Sequence, residues 1–354
     1  MPDWSYRTLF RPLLFGLPEE WSRGIALGAI GTLARFPGGG RLIDLMGHMQ
    51  PSAELELVKG GLRFSSRVGL GFRVDPTGKA LSAMARFGFG CLEVGPLGRS
   101  AAGDFTPAKW QAGCTQSAIA DQSGDWQVCS ETLQAALRSR PPGGPPVLLR
   151  VRIDDWVSSP EKTASTLKAV GELALAVEGM VIDAGHLDVA DWLSLIRTAT
   201  GTLPLIWRHA GTGALSDAVQ KALHAGLLQG VLWEPSGELA SSGSGREAPQ
   251  LSGSLQALRV SLGTEGLLIV RTGASDPQEI LDLRDAGADL VFVDWCSRDQ
   301  GWPNESMKRN WPGSHCRSSP PIPAACPKAG CGRCCRGWDS LLGAGWHWLS
   351  LYRG

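Results

Sequence analysis

The chain has 354 residues, 43% of them hydrophobic, and its 34 Lys and Arg are balanced by 34 Asp and Glu. That is enough apolar material for one α/β barrel with an appendage, and a formal charge of zero gives no electrostatic reason to expect nucleic acid as a partner. The 46 Gly and 23 Pro imply many turns, while 14 Trp against 2 Tyr suit either a membrane interface or plain compositional bias.

Residues 1–55 read as an N-terminal amphipathic helical extension. Trp4, Leu9, Phe10, Leu13, Leu14 and Phe15 fall at helical spacing, as do Trp21, Ile25, Leu27, Ile30 and Leu33, with Arg7, Arg11 and Arg23 on the same elements. Short helices of this kind lie among lipid headgroups with basic side chains on phosphates, and the same spacing suits a cap on a barrel floor. The longest early apolar run, Gly24 to Leu33, is too short to span a bilayer, and the start does not read as a signal peptide.

Residues 60–303 alternate strand and helix patterns. Arg67 to Phe72 is a short apolar run, Asp75-Pro76-Thr77-Gly78 a helix entry, Lys79 to Phe87 a helix and Phe89 to Val94 a buried strand, together one βαβ unit. After a looser polar segment the spacing predicts a helix over 131–138, a strand over 147–153, a helix over 159–176 capped by Ser158 or Ser159, and a strand over 179–184. Helix 187–199, strand 204–209, helix 214–226, strand 230–234, helix 255–262, strand 267–272, helix 276–285 and strand 290–295 follow. Eight apolar strands alternating with helices predict a closed (β/α)8 TIM barrel, since parallel strands need both faces covered.

Residues 304–354 form a Cys- and Trp-rich tail. Cys326, Cys331, Cys334 and Cys335 are donors of the type that zinc or an iron–sulfur cluster takes, but they crowd into CPKAGCGRCC and lack the usual separated pairs. They stand as the metal candidates of a chain in which no metal is expected, with a disordered tail as the alternative. Cys316 lies in the same tail, and the remaining four of the nine cysteines are scattered, which suits a reducing compartment.

In a barrel the chemistry sits just past the C-terminal ends of the strands. The residues there are Arg73, Asp75, Pro96, Asp154, Asp155, Asp183, His186, Arg208, His209, Glu234, Arg271, Thr272 and Asp294. Carboxylates beside arginines and histidines could transfer protons, although barrel mouths are polar in general.

Residues 61–96, GLRFSSRVGLGFRVDPTGKALSAMARFGFGCLEVGP, resemble the opening of the dihydroorotate dehydrogenase barrel, in particular its membrane-associated, quinone-using class. Gly61-Leu62, Phe64, Val68-Gly69-Leu70, Asp75, Gly78, Gly88-Phe89-Gly90, Glu93 and Gly95 fall in the family's order. YRTLFRPLLFGLPEEWSRGIA resembles the family's N-terminal extension, which forms the quinone tunnel and membrane contact, and DPQEILDLRDAGADLV resembles a late barrel helix. The resemblance runs from residue 6 to about residue 303. It implies FMN as cofactor, dihydroorotate as substrate, quinone as acceptor and a peripheral position on the cytoplasmic face of a membrane.

Carried over by position, the resemblance implies cofactor contacts at Gly71, Arg208, Gly253, Arg271 and Gly273. The serine base of the class is replaced within VIDAGHLD, where Asp183 and His186 are the candidate proton acceptors. Pro76 replaces a lysine, Gly71-Phe72-Arg73 replaces an Ala-Ala-Gly, Val151 stands where an asparagine meets the flavin, and Trp233-Glu234-Pro235-Ser236 replaces a substrate asparagine segment. Arg208 keeps the charge of a flavin lysine but needs more room. So many departures together imply a non-catalytic relative that acts through a membrane surface or a membrane protein at its N-terminal helices. The alternative is an active FMN-dependent dihydroorotate:quinone oxidoreductase.

Overall fold

The computed structural model describes residues 19–47, 51, 55–97, 130–153, 160–184, 189–211, 214–235, 248–272 and 277–294. Two helices, α1 (Glu19–Arg35) and α2 (Gly39–Gly47), precede an antiparallel hairpin of β1 (Leu57–Lys59) and β2 (Leu62–Phe64). The barrel follows as β3 (Val68–Leu70), α3 (Leu81–Met84), β4 (Cys91–Leu97), α4 (Ser130–Arg138), β5 (Val147–Arg152), α5 (Pro160–Ala174) and β6 (Gly179–Asp183). It continues through α6 (Val189–Thr200), β7 (Leu205–Ala210), α7 (Asp217–His224), β8 (Gly230–Glu234), α8 (Ala248–Leu262), β9 (Leu267–Val270), α9 (Pro277–Asp285) and β10 (Leu290–Val293). The strands from β3 to β10 close on themselves, β10 pairing in parallel with both β3 and β9.

The expected (β/α)8 barrel is therefore present, and the strand repeat explains its two cores. Side chains alternate across a strand, so Leu92, Val94, Val147, Leu149, Ile182, Trp207, Trp233 and Val270 meet the surrounding helices. Cys91, Leu148, Val181, Ile206, Leu232, Ile269 and Phe292 fill the barrel instead. Leu62 and Phe64 of the hairpin join that inner cluster from below, and Lys59 Nζ donates to Asp289 Oδ1 at 2.8 Å, tying the plug to the start of β10.

Sequence and structure differ at four places. The helix expected over 79–87 shortens to the single turn α3, after which Gly88 takes a φ of 74° and turns the chain into β4. Helix α8 begins at Ala248, ahead of the expected 255, so Gly253 lies inside a helix. Helix α2 and the β1–β2 hairpin were not expected at all.

The helical pair is fixed to the barrel through the segment after β3. Lys79 Nζ donates to Gly24 O at 3.3 Å, and a Cβ on Gly31 would strike the Lys79 carbonyl. Arg86 pairs with Asp44 of α2 at 2.6 Å. The remaining faces leave Ile25, Phe36 and Leu42 exposed. Among the described residues no helix is long and apolar enough to cross a membrane.

Candidate functional site

Two residues beyond each inner apolar side chain, at the C-terminal end of the strands, the barrel interior becomes charged. Cys91 is followed at that spacing by Glu93, Leu148 by Arg150, Val181 by Asp183, Ile206 by Arg208, Leu232 by Glu234, Ile269 by Arg271 and Phe292 by Asp294. Around the barrel from β4 to β10 the sign alternates strand by strand, negative first and last. The eighth place, on β3, is Gly71.

These residues bind one another. Arg150 Nη1 donates to Glu234 Oε1 at 2.8 Å and Nη2 to Asp183 Oδ2 at 2.9 Å, with Glu93 Oε1 at 3.5 Å from Nη1. Arg208 donates from Nη1 to Asp183 Oδ1 at 2.9 Å and from Nε to Glu234 Oε2 at 2.5 Å. Arg271 pairs with Glu93 and Glu234 and lies 3.1 Å from Asp294, and Arg73 lies 3.9 Å from the same Asp294 carboxylate. The pairs Arg150–Glu234 and Arg271–Glu93 join strands that are not neighbours, so they cross the interior. The Phe72 ring lies against the Arg150 and Arg271 guanidinium groups at 4.7 and 5.0 Å, a cation–π arrangement, while its N–H donates to Glu93 Oε2 at 3.1 Å.

The glycines of β3 make room for this ring. A Cβ on Gly69 would fall on the Phe292 ring and one on Gly71 inside the Asp294 carboxylate. In the family resemblance a glycine here lets a flavin approach; in this structure the space beside it is taken by side chains of the adjacent strand.

Burial and charge oppose each other in the ring. Burial alone would raise the Glu234 and Asp183 carboxyls, but the Arg150 and Arg208 guanidinium groups outweigh it and hold both below the ordinary carboxylate range. Arg150 is fully buried, which disfavours its charge, yet Glu234 and Asp183 raise it above the ordinary arginine value. A carboxyl whose folded pKa is depressed contributes stability above its unfolded pKa and loses that contribution as pH falls through the folded value. Since unfolded carboxyls titrate near pH ~4, thermal stability is expected to hold from about pH 8 to pH 5 and to fall below about pH 4. Melting curves across that range check this, and a midpoint already falling between about pH 7 and pH 5 would contradict it.

The sequence-based candidates separate cleanly on the structure. Asp183, Arg208, Glu234, Arg271 and Asp294 come together in the ring. Asp75 is structural, accepting from Lys79 N at 2.9 Å and Ala80 N at 2.6 Å to start the turn before α3. His209 shares the helix-side face of β7 with Trp207, opposite Arg208. Gly253 is exposed on α8 with nothing within 4 Å of an added Cβ. His186, Gly273, Asp154, Asp155 and the four tail cysteines lie outside the described residues. Glu93 and Arg150 were missed as site residues, and Val151, read as the residue at a flavin-facing place, points into the helix-side core.

The comparisons bear on this geometry. No family model matches the chain. Curated proteins named dihydroorotate dehydrogenase (quinone) match a stretch of it: that of Alkalilimnicola ehrlichii is 40% identical over 90 residues, and that of Gloeobacter violaceus 35% identical over 112. Over that stretch the chain is a homologue of dihydroorotate dehydrogenase (quinone). The match to the Alkalilimnicola protein covers 25% of this chain and 25% of the relative's own length. The dihydroorotate dehydrogenase of Eimeria tenella, solved in complex with ferulenol, superposes with a TM-score of 0.51 at 16% identity, covering 80% of this chain and 89% of that one, which supports the fold alone.

Dihydroorotate dehydrogenases imply FMN, and the described mouth does not fit it. Three of the residues that the resemblance assigns to the cofactor are committed to protein: Gly71 to Asp294, Arg208 to Asp183 and Glu234, Arg271 to Glu93, Glu234 and Asp294. Asp183, the candidate base, bonds two guanidinium groups and is held as a carboxylate weaker in basicity than usual.

Proposed function

We propose that this chain is a non-catalytic relative of dihydroorotate dehydrogenase (quinone) that works by contact, peripheral on the cytoplasmic face of a membrane, where its N-terminal helices meet the membrane surface or a membrane protein. The observation that carries the reading is the ring. Every described side chain that the resemblance assigns to proton transfer or to charge on a flavin is spent on a neighbour within the barrel. The contact half rests on α1 and α2, which pack firmly against the segment after β3 and still expose Ile25, Phe36 and Leu42.

The second reading, an active FMN-dependent dihydroorotate:quinone oxidoreductase, is favoured by the 40% identity over 90 residues to relatives carrying that name. One assay separates the two. The full chain, purified in mild detergent and supplied with FMN, is given dihydroorotate and a quinone analogue. No turnover above background is expected, together with co-sedimentation on anionic lipid vesicles that Ile25→Glu with Phe36→Glu abolishes. Turnover that vanishes in Arg208→Ala would overturn the proposal in favour of the oxidoreductase.

A further inference from the structure

The ring has a property that a contact role does not require: its charges balance. Glu93, Asp183, Glu234 and Asp294 face Arg150, Arg208, Arg271 and Arg73, so the charges cancel, and the four carboxylate side chains are each at most 5% exposed. Two elements of a flavin site among the described residues have a protein counterpart in place. The space beside Gly71 holds the Asp294 carboxylate, and the guanidinium faces that a planar aromatic ring would cover carry Phe72. The cations that would balance an anionic cofactor are already balanced. An arriving flavin would have to displace buried carboxylates that bridge non-neighbouring strands.

We infer that the alternating ring is the permanent, built-in occupant of the barrel mouth, standing at the residues where the resemblance places a flavin, so that this barrel folds and stays closed with no cofactor. Buried ion pairs are costly unless their members are matched, and the strand-by-strand alternation gives each charge from β5 to β9 an opposite neighbour on both sides, while Glu93 and Asp294 flank the uncharged place at Gly71. It also fixes register. Sliding one strand by two residues would bring an inner apolar residue level with the ring and leave its partners unmatched. This inference is independent of the contact role: FMN bound without turnover would defeat it and leave the proposed function standing, while failure on vesicles would leave it untouched.

The test is thermal unfolding of the full chain with and without FMN at about 1 mM, where a micromolar binder would raise the midpoint by roughly 10 °C, alongside flavin fluorescence quenching. The expected result is an unmoved midpoint and no saturable quenching. In parallel Glu234→Gln, which leaves Arg150, Arg208 and Arg271 each short of a charge, is expected to lower the midpoint on the order of 10 °C. Arg208→Lys, which keeps the charge and loses one of two links, is expected to give a smaller fall and stands in if the first variant does not fold. Saturable FMN binding by the unaltered chain, or ring variants that melt with it, would overturn the inference.

Discussion

Replacing Arg150 with methionine is expected to lower the stability of the fold by about 3–5 kcal/mol, a large share of the roughly 5–15 kcal/mol that holds a typical domain. Methionine has a similar reach and no charge. It would leave Glu93, Asp183 and Glu234 buried near one another without the cation that all three share, and the cost of an unmatched buried charge, more than the value of any single hydrogen bond, sets the size of the effect. Urea denaturation reads it as a fall in the midpoint at unchanged slope. A balanced removal, Arg150→Met with Glu234→Leu, takes away one charge of each sign and is expected to lose less than the sum of the single losses, because the two residues are in direct contact. If Arg150→Met lies within about 0.5 kcal/mol of the unaltered protein, the ring does not hold the barrel. Arg150→Lys is a sharper probe than Arg150→Met: it keeps the charge but offers one nitrogen where the guanidinium uses two, on carboxylates in different directions. It should fall between the extremes.

How much of this was legible in the sequence depends on which periodicity is consulted. The closed barrel follows from runs of apolar residues at regular intervals, and the structure agrees with them to within a few residues at most strands. The ring follows from a finer pattern, an apolar residue and then a charge two positions on, repeated in CLE, LLR, VID, IWR, LWE, IVR and FVD. Looking only past the strand ends finds six of its charges, Arg73, Asp183, Arg208, Glu234, Arg271 and Asp294. It passed over Arg150, which lies within β5, and Glu93, which lies within β4 and had been absorbed as a match to a family frame. An arginine inside an apolar strand is itself a signal, because such a charge is buried only with partners. What the sequence did not disclose is that the partners are one another. That requires barrel closure, which brings β5 within reach of β8 and β4 within reach of β9 across the interior. The hairpin below the barrel was hidden for a different reason: its strands, LVK and LRF, have three residues each, too few to show alternation. Helix α2 opens on Gly39 and Gly40 and has only nine residues, too few and too rich in glycine to declare a helical pattern.

The two glycines that the resemblance joined as cofactor contacts are expected to respond to alanine in opposite directions. Gly71→Ala places a methyl group inside the Asp294 carboxylate. That carboxylate is fully buried and lies between Arg271 at 3.1 Å and Arg73 at 3.9 Å, so it cannot swing into solvent without leaving both cations uncompensated. Overpacking of this kind costs about 1–3 kcal/mol, and the ion pair it displaces adds to that. Gly71 is not among the glycines with positive φ, so backbone strain does not contribute and the loss measures the collision alone. Asp294→Ala in the same chain removes the obstacle together with a charge that Arg271 and Arg73 face, so the double variant is expected to lose less than the sum of the two single losses. Gly253, in contrast, sits within α8 with open space around an added Cβ. Alanine there removes the entropic penalty of a helical glycine and is expected to stabilise the fold by about 0.5–1 kcal/mol. A cofactor site would tie the two residues together, since both would lose bound flavin and melt lower. Opposite shifts of the urea midpoint, with FMN making no difference to either, would instead place one glycine in the ring and the other on the surface.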